Sequence, residues 1–213
     1  MSWCQTRTSR DVFVTLPLQV AGYRHGVGRD LRNIDPDSIY HAVSIGSDRG
    51  PIVWDDHDCE SLLRDIAKAA TRYAWEVFAW CVMTTHHHVV LRTTKDGFSG
   101  GLQLVNGSHA RRTNRRHGRV AHLFQNRPFA REVKSDAHLV SAILYVVRNP
   151  IAGGICDHAS QWRFSSYRAT AGLAEPPPWL NVGALHELFG GPAEFERLVH
   201  NGHLPVSDTN GSR

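Results

Sequence analysis

Trp75-Glu76-Val77-Phe78-Ala79-Trp80-Cys81-Val82-Met83-Thr84-Thr85-His86-His87-His88-Val89-Val90-Leu91-Arg92-Thr93 sits near the middle of a 213-residue chain. It holds two runs rich in β-branched and aromatic residues, Trp75 to Met83 and His86 to Thr93, with only Thr84-Thr85 between them. Such runs form strands, and so short a gap folds them back as a hairpin. Side chains alternate faces along a strand, so His86 and His88 point one way and His87 the other.

Upstream of the hairpin, Ile39-Tyr40-His41-Ala42-Val43-Ser44-Ile45 alternates as a strand does. Asp55-Asp56 then precedes a helical stretch through Tyr73, with Leu62, Leu63, Ile66, Ala69, Ala70 and Tyr73 at helical spacing and either aspartate suited to the N-cap. Downstream, the pattern predicts a second helix over Gly101 to Arg116 and an apolar strand fragment within His122 to Val133. A third helix is expected over Asp136 to Asn149, ending where Pro150 disfavours helical geometry in the residue before it. The order β-α-β-β-α-β-α predicts an α+β fold: a ferredoxin-like antiparallel sheet with helices on one face, plus an added C-terminal helix bearing Tyr145. Residues 1–36, rich in Gly, Arg and Asp, read as an irregular extension, and residues 37–174 as the main domain. Residues 175–213, opening on Pro176-Pro177-Pro178, read as a C-terminal tail with a short helix around Pro192 to His200.

Composition narrows the function. Hydrophobic residues make up 41% and charged residues 21%, which is globular rather than disordered. No run approaches the length of a membrane span. The N-terminus lacks the pattern of a secretory signal, so a cytoplasmic protein is expected. The four cysteines, Cys4, Cys59, Cys81 and Cys156, form no CxxC pair, which argues against a zinc ribbon or a redox dithiol. Twenty-four Lys and Arg against 20 Asp and Glu leave a formal charge of +4, and there are 14 histidines. Their positions matter more than their sums.

His86 and His88, side by side on one strand, present two neutral imidazole nitrogens to one divalent cation. Taken alone, they also read as two exposed histidines at a hairpin end. Tyr145 and Asn149 stand at i and i+4 and so share a helix face. Asn149 offers an amide oxygen suited to Mg²⁺ or Mn²⁺. Tyr145 offers a phenolic oxygen that a nearby cation can help to ionise. On helix periodicity alone, Tyr145 reads equally as a core aromatic and Asn149 as a helix-end residue.

Five segments, in order, resemble the single-tyrosine HUH transposases, in particular the REP-associated tyrosine transposases. Met83-Thr84-Thr85-His86-His87-His88-Val89 is similar to their Met-Pro-Asn-His-x-His-Leu. Tyr145-Val146-Val147-Arg148-Asn149-Pro150-Ile151-Ala152-Gly153-Gly154 is similar to Tyr-Ile-x-x-Asn-Pro-x-x-Ala-Gly. Ile39 to Val43 resembles the opening strand, His122 to Phe129 the Leu-Phe-Gln-x-Arg-Phe stretch, and Trp162 to Tyr167 the Trp-Ser-Ser-Tyr ending. The departures are Thr84-Thr85 for Pro-Asn, a polar His87 where the family is hydrophobic, and Ile45 where it carries an arginine. A polar residue at 87 reads either as a less buried strand face or as an extra ligand competing for metal.

The resemblance implies a DNA strand transferase acting in transposition on single-stranded, hairpin-bearing DNA, associated with the nucleoid. His86, His88 and Asn149 would hold one Mg²⁺ or Mn²⁺, and Tyr145 would form a 5′-phosphotyrosine intermediate, within one chain or across a homodimer. The alternative is a domesticated, inactive DNA-binding module derived from such an enzyme. Arg111, Arg112, Arg115, Arg116, Arg119, Arg127, Arg131 and Lys134 form a basic stripe against a single acid, Glu132, suited to phosphates. Phe124 and Phe129 lie within it, as base-stacking aromatics or as core.

Overall fold

Ile39–Ile45 (β1), Glu76–Val82 (β2), His86–Arg92 (β3) and Phe129–Val133 (β4) form one antiparallel sheet in the order β2-β3-β1-β4. The computed structural model describes residues 34, 35, 38–125 and 127–201. The extension expected over residues 1–36 lies outside them except for Ile34, buried in the core, and Asp35, whose backbone N–H donates to the Tyr40 hydroxyl at 2.9 Å. Asp56–Arg72 (α1) links β1 to β2, Lys95–Arg116 (α2) links β3 to β4, and Asp136–Ala152 (α3) follows β4. Sheet order and connections are those of the ferredoxin-like pattern, with α3 added to it.

The strand register sorts the side chains. Val43 pairs with His88, Ile45 with His86 and Ser44 with His87. Cross-strand partners share a face, so His41, Val43, Ile45, His86 and His88 lie on one side of the sheet. Tyr40, Ala42, Ser44 and His87 lie on the other. The second side receives α2, where Tyr40 meets Phe98 edge-on at 5.3 Å between ring centroids. Packed against α2 is α1, while α3 covers the first side.

Asp55 caps α1, its side chain accepting the Asp58 backbone N–H at 3.0 Å. Two boundaries differ from the sequence reading. Helix α2 begins at Lys95 rather than Gly101, with the Thr94 hydroxyl as its cap. Gly97, Gly100 and Gly101 weaken the helical pattern there, but a Cβ at Gly101 would sit 2.2 Å from the Trp75 ring, whose indole N–H donates to the Gly97 carbonyl at 2.9 Å. The glycines are the space into which the hairpin's first tryptophan packs. Helix α3 runs through Pro150 to Ala152. The ring deprives the preceding turn of one N–H. The helix nevertheless continues past it: the Asn149 side chain donates to the Tyr145 carbonyl at 2.9 Å, and the Gly153 and Ile155 backbone N–H groups close its end on the carbonyls of Asn149 and Pro150.

Beyond α3 come Tyr167–Thr170 (α4), Val182–Phe189 (α5) and Pro192–Asn201 (α6). The described part of the region read as a tail thus holds two helices, and Leu185, Phe189, Phe195 and Val199 are buried in the common core. Residues 202–213 lie outside the described residues. Among the described residues, no helix is long and apolar enough to cross a membrane.

Candidate active site

His86 and His88 on β3 and Tyr145 and Asn149 on α3 converge on the α3 side of the sheet. The His86 and His88 rings are 4.8 Å apart between centroids and perpendicular at 89°. Tyr145 meets His88 edge-on at 5.6 Å within the same chain. With its amide nitrogen committed to the Tyr145 carbonyl, Asn149 retains Oδ1 as the ligand atom. Its side chain lies close enough to both imidazoles and to the Tyr145 phenol to bias the protonation of each.

Each imidazole has one nitrogen engaged from behind. His86 Nδ1 is 3.0 Å from Thr85 Oγ1, and His88 Nδ1 is 2.9 Å from His41 Nε2. The remaining nitrogens, His86 Nε2 and His88 Nε2, are buried without a hydrogen-bond partner. Buried polar atoms seldom go unpaired, and two adjacent ones beside an amide oxygen make a donor set that fits a divalent cation. Burial holds His86 at about 4, against an ordinary value of 6.5, and pushes His88 well below that value. Both rings are therefore neutral near pH 7, as ligation requires. Burial also raises the Tyr145 phenol above its ordinary value of 10, with Asn149 opposing.

The departures from the family pattern acquire locations. His87 is buried on the α2 side, 2.9 Å from Asn106 Oδ1, and Asn106 in turn donates to Ser44 Oγ. It belongs to the opposite face and does not compete for the cation. The carbonyls of Thr84 and Thr85 accept from Ile52 and Gly46, which ties the hairpin turn to the end of β1. Ile45 pairs with His86 and offers no charge there.

The basic stripe is divided. Arg112 pairs with buried Asp65 and donates to the Ser61 carbonyl, while Arg116 spans Asp55 and Asp58. Both fasten α2 to α1. Arg119 lies over Trp54 at 5.1 Å from the ring centroid. Arg111, Arg115, Arg127, Arg131 and Lys134 are exposed. Arg131 pairs with His41 in the register and so belongs to the active-site side, as does half-buried Phe129, which pairs with Val43. Phe124 packs instead against His87 and His109 on the α2 side, at 5.9 and 6.2 Å. Asp55, His57 and Asp58 also have metal-like spacing. Their carboxylates, however, already accept from Arg116, His117 and backbone N–H groups. Accordingly, Arg112→Ala is expected to act on stability. Stranding the Asp65 carboxylate costs about 3 kcal/mol, read as a lower denaturant midpoint, with hairpin affinity little changed.

Two contributors escaped the sequence reading, His41 and Thr85. The available signal for His41 was a histidine on an otherwise apolar face of a strand, with Ile39, Val43 and Ile45. Burial holds His41 at about 3 and His87 at about 4. In the unfolded chain these imidazoles take up protons below about pH 6.5. Between there and about pH 4 the unfolded state therefore binds more protons, and stability falls as pH falls. It is fully present above pH 6.5. The metal-free chain is expected to melt several degrees lower at pH 5 than at pH 7.5, and an unchanged midpoint would contradict this.

The family model described as Transposase IS200 like matches residues 36–149. Among solved structures, the chain is similar to a REP-associated tyrosine transposase bound to a REP hairpin. The identity is 18%, over 68% of this chain and 84% of that one, with a TM-score of 0.54. At that identity the likeness is one of fold. No curated protein matches the chain.

Proposed function

Since the chain belongs to the IS200-like transposase family, we propose that it cuts and rejoins single-stranded, hairpin-bearing DNA through a 5′-phosphotyrosine intermediate at Tyr145. The observation that carries this reading is the placement of Tyr145 against His88, 5.6 Å between centroids, beside two imidazole nitrogens without hydrogen-bond partners. The hairpin on the structurally similar transposase supports the choice of DNA class.

In the forward step, the Tyr145 oxygen bonds to phosphorus as the bond to the 3′ oxygen breaks. The phenol loses its proton and the departing 3′ oxygen gains one. Attack by a 3′-hydroxyl reverses the step and restores the phosphodiester, so no nucleotide cofactor is consumed. His86, His88 and Asn149 are the residues that would hold one Mg²⁺ or Mn²⁺. A cation held there neutralises charge developing on the phosphate and favours the ionised phenol. The sheet and α3 fix the tyrosine and the histidine pair relative to one another, which supplies orientation. Arg131, on the same side of the sheet, suits phosphates flanking the scissile one.

This reading assigns the chemistry to residues 37–174 and places the protein in the cytoplasm with the nucleoid. It also gives each chain of any homodimer its own tyrosine. The test is incubation of the full chain with end-labelled hairpin DNA and Mn²⁺. A covalent adduct that survives denaturation, carries the 5′ phosphate and maps to Tyr145 is expected. Cleavage without an adduct, or an adduct on another residue, overturns the nucleophile. Hairpin binding with no cleavage in either metal favours the domesticated binding module.

A further inference from the structure

His41 stands directly behind His88. It lies on β1, diagonal to His88 across the strand pair, with its Nε2 2.9 Å from His88 Nδ1. Both side chains are buried, at 3% and 1% exposure. A hydrogen bond between two neutral imidazoles needs one donor and one acceptor, and two tautomer arrangements satisfy it. They differ at the far side of the His88 ring. With His41 donating, the His88 proton sits on Nε2 as a buried N–H that makes no hydrogen bond in this geometry, with the Asn149 amide nearby. With His88 donating, Nε2 is a bare lone pair. Orphaned buried N–H groups are the rarer and costlier arrangement.

We propose that His41 is a positioning residue: its Nε2 accepts the Nδ1–H of His88, which fixes the His88 tautomer and leaves His88 Nε2 as a lone pair at the cation site. The inference rests on the reading of His86 and His88 as a cation-binding pair. Support of this kind behind a ligand imidazole orients the ring and raises its basicity. The placement also explains a histidine on an apolar strand face. His86 receives its corresponding contact from a hairpin-turn hydroxyl, Thr85 Oγ1, whereas His88 receives it from a neighbouring strand of the sheet.

The experiment has two parts. In the metal-free, ¹⁵N-labelled full chain, long-range ¹H–¹⁵N spectra are expected to show His88 protonated on Nδ1. Protonation on Nε2 overturns the proposal. Mn²⁺ titrations followed by electron paramagnetic resonance then compare wild type, His41→Gln and His41→Phe. Glutamine keeps an acceptor and is expected to bind within about threefold of wild type. Phenylalanine keeps the bulk without an acceptor and is expected to bind about ten- to a hundredfold more weakly. Wild-type affinity in a folded His41→Phe chain overturns the positioning role. If His41→Phe does not fold, His41→Gln decides, and a loss as large as that of His88→Ala overturns the proposal. A wild-type chain that binds no Mn²⁺ but shows the expected His88 tautomer refutes the cation reading and leaves the His41–His88 assignment standing.

Discussion

Tyr145→Phe is expected to abolish the covalent adduct and to lower hairpin cleavage by at least about a thousandfold, equivalent to about 4 kcal/mol of transition-state stabilisation. The substitution removes one oxygen from a half-buried ring and leaves the aromatic contacts with His88 and His41 in place. The Asn149 nitrogen donates to the backbone carbonyl of residue 145, which the substitution leaves in place, so that support for α3 survives. Melting temperature and hairpin affinity should therefore stay close to wild type while cleavage disappears. That separation is the useful result, because a residue serving only the core would lose stability and activity together. Denaturing gels report the adduct, a melting curve the fold, and a binding titration the affinity. An adduct persisting in Tyr145→Phe would move the nucleophile elsewhere.

The second large effect is expected from the histidine pair. His86→Ala should reduce cleavage by about a thousandfold, and a chelator should do the same to wild type, since the lost charge stabilisation amounts to several kcal/mol. Hairpin binding should change by less than about threefold, because the phosphate contacts are left to the exposed arginines, which the substitution does not alter. His86 is the better test than His88. It is half-buried with its Nδ1 bonded only to Thr85, whereas truncating His88 also strands His41 Nε2 in the core. Full cleavage by His86→Ala in excess Mn²⁺ would remove His86 from the ligand set.

The elements and their order were legible because hydrophobic period reports strand and helix directly: β1 occupies Ile39–Ile45 as its alternation predicts. The misplaced ends have physical causes. Glycine at 97, 100 and 101 hid the start of α2, since propensity registers backbone entropy and not the tryptophan that fills the space. Pro150 marked an end, but proline removes a single N–H and α3 runs on to close through Gly153 and Ile155 on the carbonyls of Asn149 and Pro150. At the site, alternation along one strand placed His86 and His88 together and His87 apart. Helical spacing placed Tyr145 with Asn149. That these two pairs meet, and that His41 backs His88, are long-range facts of strand register and helix docking that no local pattern encodes. Charge was the least legible quantity, because a linear stripe of arginines does not show which ones turn inward to Asp55, Asp58 and Asp65.

The clamping of α2 to α1 by Arg112 and Arg116 sets a ceiling on counterion release. Were all eight cations of the stripe to displace ions from single-stranded DNA, the logarithm of affinity would fall with that of salt at a slope of about −6. With two of them committed to carboxylates, no more than six remain, and the slope is limited to about −4. Between 50 and 200 mM salt, that difference is roughly a factor of ten in retained affinity. The ion pairs that stiffen the scaffold thereby make the grip on DNA less sensitive to ionic strength than a tally of arginines implies.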